Sequence, residues 1–445
     1  MSSEWSRYTL DVAPVSILDG DRGTNYPSQD EFLSAGHCLF LNTGNVTTGG
    51  FDFSNCAFIS EEKDNVLRKG KLVRGDIVLT TRGTVGNVGL FNERIPFDHV
   101  RINSGMVILR PEQEALSSYF LYLFLRSDLF NEQSNSLRSG SAQPQLPIRD
   151  LKCVEITVPP IKDQNKICSF LGALDDRIAL LRETNTTLEA IAQALFKSWF
   201  VDFDPVRAKQ EGREPEGMDA DTAALFPDSF EESELGLVPK GWNKVPFTDT
   251  VQVIGGGTPK TSVPEYWNGD IPWFSVVDAP TTTDVFVIDT QKHITEQGLN
   301  NSSTKLLAKG TTIISARGTV GRLALVGRQM AMNQSCYGLR GKADDAYFTY
   351  FSTYRLVESL KQRSHGSVFD TITMETMKGV FVIYPDKVVV QAFETLLQPV
   401  MERLQKNLEQ AQTLATLRDT LLPRLISGQL RLPDADALSK QVVND

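Results

Sequence analysis

The sequence has no run that approaches the roughly 18 consecutive apolar residues a bilayer crossing demands. Its opening, MSSEWSRYTLD, lacks the apolar core of a secretory signal. A cytoplasmic protein without membrane contact is therefore expected. Cysteine is scarce: Cys38, Cys56, Cys153, Cys168 and Cys336 are odd in number and form no C-x-x-C pair. That argues against a disulfide frame or a paired-thiol zinc site and predicts five small, buried, reduced side chains. Catalytic signatures are missing too. GGGTPKTS at 255–262 imitates a phosphate loop but carries Pro259 where glycine belongs, so no phosphate cradle is expected. His37, His99, His293 and His365 are scattered without metal-ligand spacing. A methyltransferase would show a glycine-rich cofactor loop and Asn-Pro-Pro-aromatic, yet Pro159-Pro160 stands between Val158 and Ile161. No catalytic residue, cofactor or metal ligand is predicted.

Net positive charge is absent as well: the chain carries −10. The deficit is localised. Residues 202–234 hold eleven acids against three bases, and residues 434–445 hold three against one. The remainder is close to neutral, and its bases gather near one motif. Lys63, Arg68, Lys69, Lys71, Arg74 and Arg82 form one group; Lys305, Lys309, Arg317, Arg322 and Arg328 form another. Local basic patches can hold phosphates whatever the total charge.

That motif is Arg-Gly-Thr-Val-Gly, present at 82–86 and again at 317–321. The flanks repeat with it. A basic, glycine-broken turn leads into a β-branched strand before each copy. After each come an aromatic-rich helix pattern (117–141 and 345–367), a Ser/Gly loop, a short strand and a long helix. EWSRYTL at 4–10 matches GWNKVPF at 241–247. Such a long internal period marks a tandem duplication of a globular unit plus a helix.

The first long helix has a five-heptad seam. Ile167, Leu174, Leu181, Leu188 and Leu195 form one row; Leu171, Ile178, Asn185, Ala192 and Trp199 form the other. The second has Phe393, Val400, Asn407, Leu414 and Leu421, with Leu397, Leu404, Ala411, Arg418 and Leu425. Pro399 and Pro423 predict a kinked start and a frayed end. Two such helices most simply pack antiparallel on each other. Between the units, 201–242 is acidic, broken by Pro and Gly, and expected as an extended linker with short helical pieces. ALFKSWFV at 194–201 has aromatics on nearly every face, so a partner protein is expected to cover it.

In the repeated motif the glycines suit a tight turn, while Arg82 and Arg317 suit either an internal carboxylate or a phosphate or guanine. The following loops offer Ser139, Ser141, Gln143 and Gln145 in the first unit, and His365, Ser367 and Asp370 in the second. Asp52, Glu61 and Lys63 have the spacing of a Mg-dependent nuclease but no counterpart in the second unit.

LFKSWFVDFDPVRAK (195–209), LFPDSFEESELGLVPKGW (225–242) and LRDTLLPRLISGQLRL (417–432) resemble stretches of the specificity subunit of type I restriction-modification systems. The resemblance implies an α+β chain: two tandem α/β target recognition domains joined by two long antiparallel coiled-coil helices with pseudo-two-fold symmetry. Its parts would be recognition domains at 1–160 and 241–388, spacer helices at 161–200 and 389–428, a linker at 201–240 and a tail at 429–445. It implies a non-catalytic subunit that binds double-stranded DNA at a bipartite asymmetric target. Two modification subunits and two restriction subunits would dock on it. Candidate DNA contacts are Arg82, Thr84, Ser139, Ser141, Gln143, Arg317, Thr319, His365 and Ser367. The alternatives from the residues themselves are a divergent Mg-dependent nuclease and a coiled-coil scaffold that does not bind DNA.

Overall fold

A computed structural model describes residues 5–139, 144–234, 236–280, 284–363 and 371–432. It divides into two compact units, residues 1–176 with 413–445 and residues 177–412. Each holds one globular domain and a segment of both long helices.

In the first unit, Ser6–Thr9 pairs antiparallel with Glu155–Val158, tying the start of the domain to its end. The main sheet runs Val15–Asp19, Met106–Pro111, Ile77–Thr80, Val88–Leu90, with antiparallel neighbours. Every residue of Ile77–Thr80 is buried, as expected of a strand covered on both faces. A smaller sheet pairs Cys38–Leu41 with Phe58–Ile59 and, in parallel, with Val100–Ile102. The aromatic-rich pattern becomes the helices Ser118–Arg126 and Asp128–Leu137.

The second unit repeats this plan. Asn243–Pro246 pairs with Phe381–Tyr384. The main sheet runs Val251–Gly255, Cys336–Gly341, Thr312–Ser315, Leu323–Val326, with Phe286–Val287 added in parallel at the edge. Trp267–Phe274 carries the small sheet, flanked by His293–Ile294 and, in parallel, Ala331–Met332. The duplication read from sequence is thus a duplication of strand order and pairing sense.

The long helices run Ile161–Phe200 and Lys387–Ile426. Most of the expected rows are buried: Ile167, Leu171, Leu174, Ile178, Leu181, Ala192 and Trp199 in the first, and Phe393, Leu397, Leu404, Ala411, Leu414, Leu421 and Leu425 in the second, with Leu188, Leu195 and Val400 half-buried. In the second unit Asn185 Nδ2 donates to the Leu404 carbonyl at 3.1 Å, and Asn407 Nδ2 donates to Asn185 Oδ1 at 2.9 Å. Phe196, eleven residues on, meets Phe393 at 5.8 Å, so the helices pack antiparallel. In the first unit Arg418, a charge in the seam, donates to Asp175 at 2.6 Å; Tyr119 donates to the other oxygen of that carboxylate at 2.8 Å.

Four expectations fail. The second helix continues through both Pro399 and Pro423, so it is neither interrupted at the first nor frayed at the second. Proline removes one ladder bond there, but Phe393, Leu397, Met401 and Leu404 around Pro399 are buried, and burial of about 1.5–3 kcal/mol each outweighs a loss of roughly 3 kcal/mol. The aromatics of ALFKSWFV need no foreign partner: Phe196, Trp199 and Phe200 are buried in a cluster with Phe203, Val206, Phe226, Trp242, Phe348 and Phe393. The linker supplies four of those residues, so it is packed rather than extended. It forms the helices Asp204–Gln210 and Ala220–Ala224 and the strand pair Phe230–Ser233 and Gly236–Pro239. Finally, all five cysteines are free, but only Cys38 and Cys336 are buried, and Cys153 is exposed. Among the described residues no helix is long and apolar enough to cross a membrane.

Candidate nucleic-acid interface

Arg-Gly-Thr-Val-Gly forms the turn between the last two strands common to both main sheets. In the first unit the Gly86 N–H donates to the Thr80 carbonyl at 3.0 Å. The Thr80 hydroxyl spans the turn, donating to the Thr84 carbonyl and accepting from the Asn87 N–H. In the second unit Gly321 donates to Ser315 at 2.9 Å. The Ser315 hydroxyl donates to Thr319 at 2.6 Å and accepts from Arg322 at 2.8 Å. Gly83, Gly86, Gly318 and Gly321 have φ of 73°, 100°, 75° and 80°. The glycines are therefore required by left-handed backbone, at about 1 kcal/mol per replaced position.

The arginines are a different matter. Arg82, Gly83 and Thr84 are exposed, as are Arg317, Gly318 and Thr319. Neither guanidinium bonds or ion-pairs with a described residue, so the internal-carboxylate reading fails. Several of the surrounding bases, by contrast, are already bonded. Lys63 pairs with Glu31 at 2.8 Å. Arg74 donates to the carbonyls of Asn92 and Ile95 and to Asp98. Arg328 pairs with Asp289 at 3.2 Å. Arg68, Lys69, Lys71 and Arg110 line a cleft of about 560 Å³ in the first unit, with Arg110 bound to Asp76.

The second segment at the turn is the loop that follows the aromatic helices. Leu146 N–H donates to the Thr81 carbonyl at 3.0 Å, and Ile372 N–H to Ala316 at 2.9 Å. Arg82 bridges Gln145, Ser139 bridges the same Gln145, and Arg317 bridges Thr371. Ser139 is thereby brought beside Arg82. Ser141, Gln143, His365, Ser367 and Asp370 lie outside the described residues.

A third segment was missed by sequence reasoning. Asn103-Ser104-Gly105 and Asn333-Gln334-Ser335 form matching turns. The Asn side chain accepts from the backbone N–H two residues on, at 2.9 and 3.0 Å. The carbonyl of the third residue accepts from Thr81 in one unit and Ala316 in the other, each at 2.8 Å. The clue was an Asx-turn signature, Asn-x-Gly or Asn-x-Ser, just before an alternating strand. Against this turn lies the end of the first main-sheet strand. A Cβ on Gly20 would sit 2.6 Å from the Asn103 oxygen, and one on Gly256 1.9 Å from the Asn333 oxygen. Gly256 and Gly257 of GGGTPKTS therefore serve close backbone contact.

Elsewhere in the first unit, His37 and His99 are not scattered but stacked at 4.2 Å. With Asp64 they place ligand atoms within 4.8 Å of one another. Lys71 and Arg101 already hold the two carboxylate oxygens of Asp64. A metal ion would have to displace Lys71 and sit beside Arg101, a poor arrangement for a cation. Asp52 accepts from the Ser54 N–H at 2.8 Å and Lys63 pairs with Glu31; among the described residues no group of three potential metal ligands includes Asp52 or Glu61.

Comparison with known proteins follows the same division. The family model described as type I restriction modification DNA specificity domain matches residues 3–190 and again 239–410. The HindI type I restriction enzyme specificity subunit of Haemophilus influenzae is 27% identical over 476 residues, spanning 96% of this chain and all of that one. The MjaIX specificity subunit of Methanocaldococcus jannaschii is 26% identical over 366 residues, 81% of this chain and 79% of that one. A crystal structure of the type I system S subunit from M. genitalium shares the fold at TM-score 0.54, with 17% identity and 96% coverage of each chain. Two matched domains, each presenting the same exposed turn on the same strand order, place this chain in the family of type I restriction-modification specificity subunits.

Proposed function

We propose that this chain reads a bipartite, asymmetric double-stranded DNA target, one half per domain, and catalyses nothing itself. Two modification subunits and two restriction subunits would assemble on it and supply the chemistry. The observation that carries the reading is the paired Arg-Gly-Thr tip: in both domains it is exposed, and its arginine side chain makes no bond to a described residue. An unpaired guanidinium fixed on a rigid turn suits phosphate or a guanine edge. Arg82, Thr84, Ser139, Arg317 and Thr319 are the described residues we assign to DNA contact. Relatives named as type I restriction enzyme specificity subunits support the assembly with enzyme subunits.

Methylation mapping of a genome carrying the intact system tests this directly. A two-part motif with unlike halves is expected. A single undivided motif, or sequence-independent modification, would refute the reading. Incubating the purified chain with Mg²⁺ and DNA should give no cleavage; nicking abolished by Glu61→Ala would restore the nuclease alternative.

A further inference from the structure

Two copies of one domain in a single chain act as an internal control. Two unlike half-sites share the sugar-phosphate backbone throughout but differ in their bases at one position or more. Side chains identical at equivalent positions therefore fit the shared element, and side chains that differ on an identical frame fit the bases. This argument rests on the DNA-reading function proposed above.

The frame can be matched atom by atom. The carbonyls of Leu41 and Phe274 accept from the N–H of Asn103 and Asn333, at 3.0 and 2.9 Å. Gly105 and Ser335 then bond to the repeated turn in the same way, and Gly20 and Gly256 press on the same asparagine carbonyl. Position 104 thus corresponds to 334, and position 22, two after Gly20, corresponds to 258. These corresponding positions also touch each other in both units. Arg22 donates to the Ser104 carbonyl at 3.4 Å and to Asp19 at 3.1 Å. The Thr258 hydroxyl donates to Gln334 Oε1. Arg22 and Gln334 are exposed. The neighbouring Arg-Gly-Thr is the same in both units; this pair is Arg/Ser in one and Thr/Gln in the other.

We infer that Arg82 with Thr84, and Arg317 with Thr319, grip phosphates, whereas Arg22–Ser104 and Thr258–Gln334 read base edges. Both Arg22 bonds use Nη2, which leaves Nη1 and Nε as free donors suited to a guanine acceptor, O6 or N7. The Thr258 hydroxyl orients the Gln334 amide, as Asp19 orients Arg22. A carboxamide is the bidentate partner of adenine N6 and N7.

The test uses the assembled modification complex, with the methylated sequence mapped and affinity for a mapped target fragment measured across a salt series. Arg22→Ala and Arg22→Lys should each relax one position in one half of the motif and leave the other half intact. Gln334→Ala should relax one position in the opposite half. Arg82→Ala and Arg317→Ala should keep both halves, weaken binding about tenfold or more, and lower the salt slope by about 1. All five substitutions are at exposed side chains, and unchanged thermal melting checks the fold. A motif altered by Arg317→Ala overturns the assignment, as does one untouched by both Arg22→Ala and Gln334→Ala. A native complex that modifies no defined sequence would instead refute the DNA-reading function itself.

Discussion

Asp64 shows how a single charge can be fixed inside a domain. It is fully buried, with Arg101 on one carboxylate oxygen and Lys71 on the other. Arg101 is buried too and also donates to the carbonyls of Lys69, Asp64 and Leu67. Arg101→Met strands the carboxylate and should cost about 3–5 kcal/mol in denaturant unfolding. Lys71→Met, on the half-exposed side, should cost under about 1 kcal/mol. Equal losses would mean the burial argument is wrong. Burial opposes ionisation of Asp64, but the two cations outweigh it and hold the carboxyl at about 2. Its folded value lies below the unfolded one, so this stabilisation is complete above the ordinary 3.8 and is lost as pH falls toward 2. Glu394 has the opposite sign. Burial pushes it up to about 7, against the N–H groups of Phe348 and Tyr347, with Asp345 pushing it further up. Its contribution is fullest below the ordinary 4.5 and is lost as pH rises through 7. Glu394→Gln should therefore flatten the stability decline between about pH 5 and 8, by on the order of 2 kcal/mol. A variant that keeps the native slope in melts across that range would contradict this. Neither group stood out in the sequence. Asp64 meets Arg101 across 37 residues and Glu394 meets Phe348 across 46, and composition near each acid carries no trace of those pairings.

The long helices were the most legible elements, because a seven-residue period sustained over five heptads has no other common cause. Their proline positions misled, since local propensity was read without the tertiary burial that overrides it. The aromatic segment misled for a related reason: its cover comes from Phe226, Trp242 and Phe348, far along the chain. The Arg-Gly-Thr turn was legible through its glycines, whereas the 22/104 and 258/334 pairs were not, because they join loops 82 and 76 residues apart. Within the helix pair, Asn185 and Asn407 are 3% and 1% exposed and satisfy each other. Asn185→Leu leaves the Asn407 amide buried without its acceptor and should cost about 1–3 kcal/mol. Asn185→Leu with Asn407→Leu should recover most of that loss while loosening helix register. The double-mutant cycle should therefore show strong positive coupling. Additive losses in thermal unfolding would show that the amides act independently.

At the scale of the whole molecule, the duplication makes a symmetric half-molecule conceivable. The fragment 1–234 keeps one domain and one long helix, which can pair only with its own copy. The two helices correspond at an offset of 226, Leu195 with Leu421. Under that correspondence Asn407 maps onto Leu181. In a fragment dimer of unchanged register, Asn185 therefore faces Leu181 of the copy, twice, and its side-chain oxygen loses the donor it has in the full chain. Each orphaned group costs about 1–3 kcal/mol, so the fragment should dimerise weakly. Leu181→Asn in the same fragment recreates the bonded pair on both sides of the two-fold axis. It should tighten the dimer by roughly tenfold or more, given about 1.4 kcal/mol per decade. In the full chain the same substitution faces Ala411 rather than an amide and should destabilise. Sedimentation or light scattering over a concentration series measures the first effect, and thermal unfolding of the full chain the second. Co-expressed with modification subunits, the tightened dimer should mark an inverted repeat, since two identical readers about a two-fold axis present the same contacts to both half-sites. A Leu181→Asn fragment that dimerises no better than the native one would show that the register of the Asn185–Asn407 pair is not inherited by the half-molecule. A tight dimer that marks an asymmetric site would break the link between chain symmetry and target symmetry.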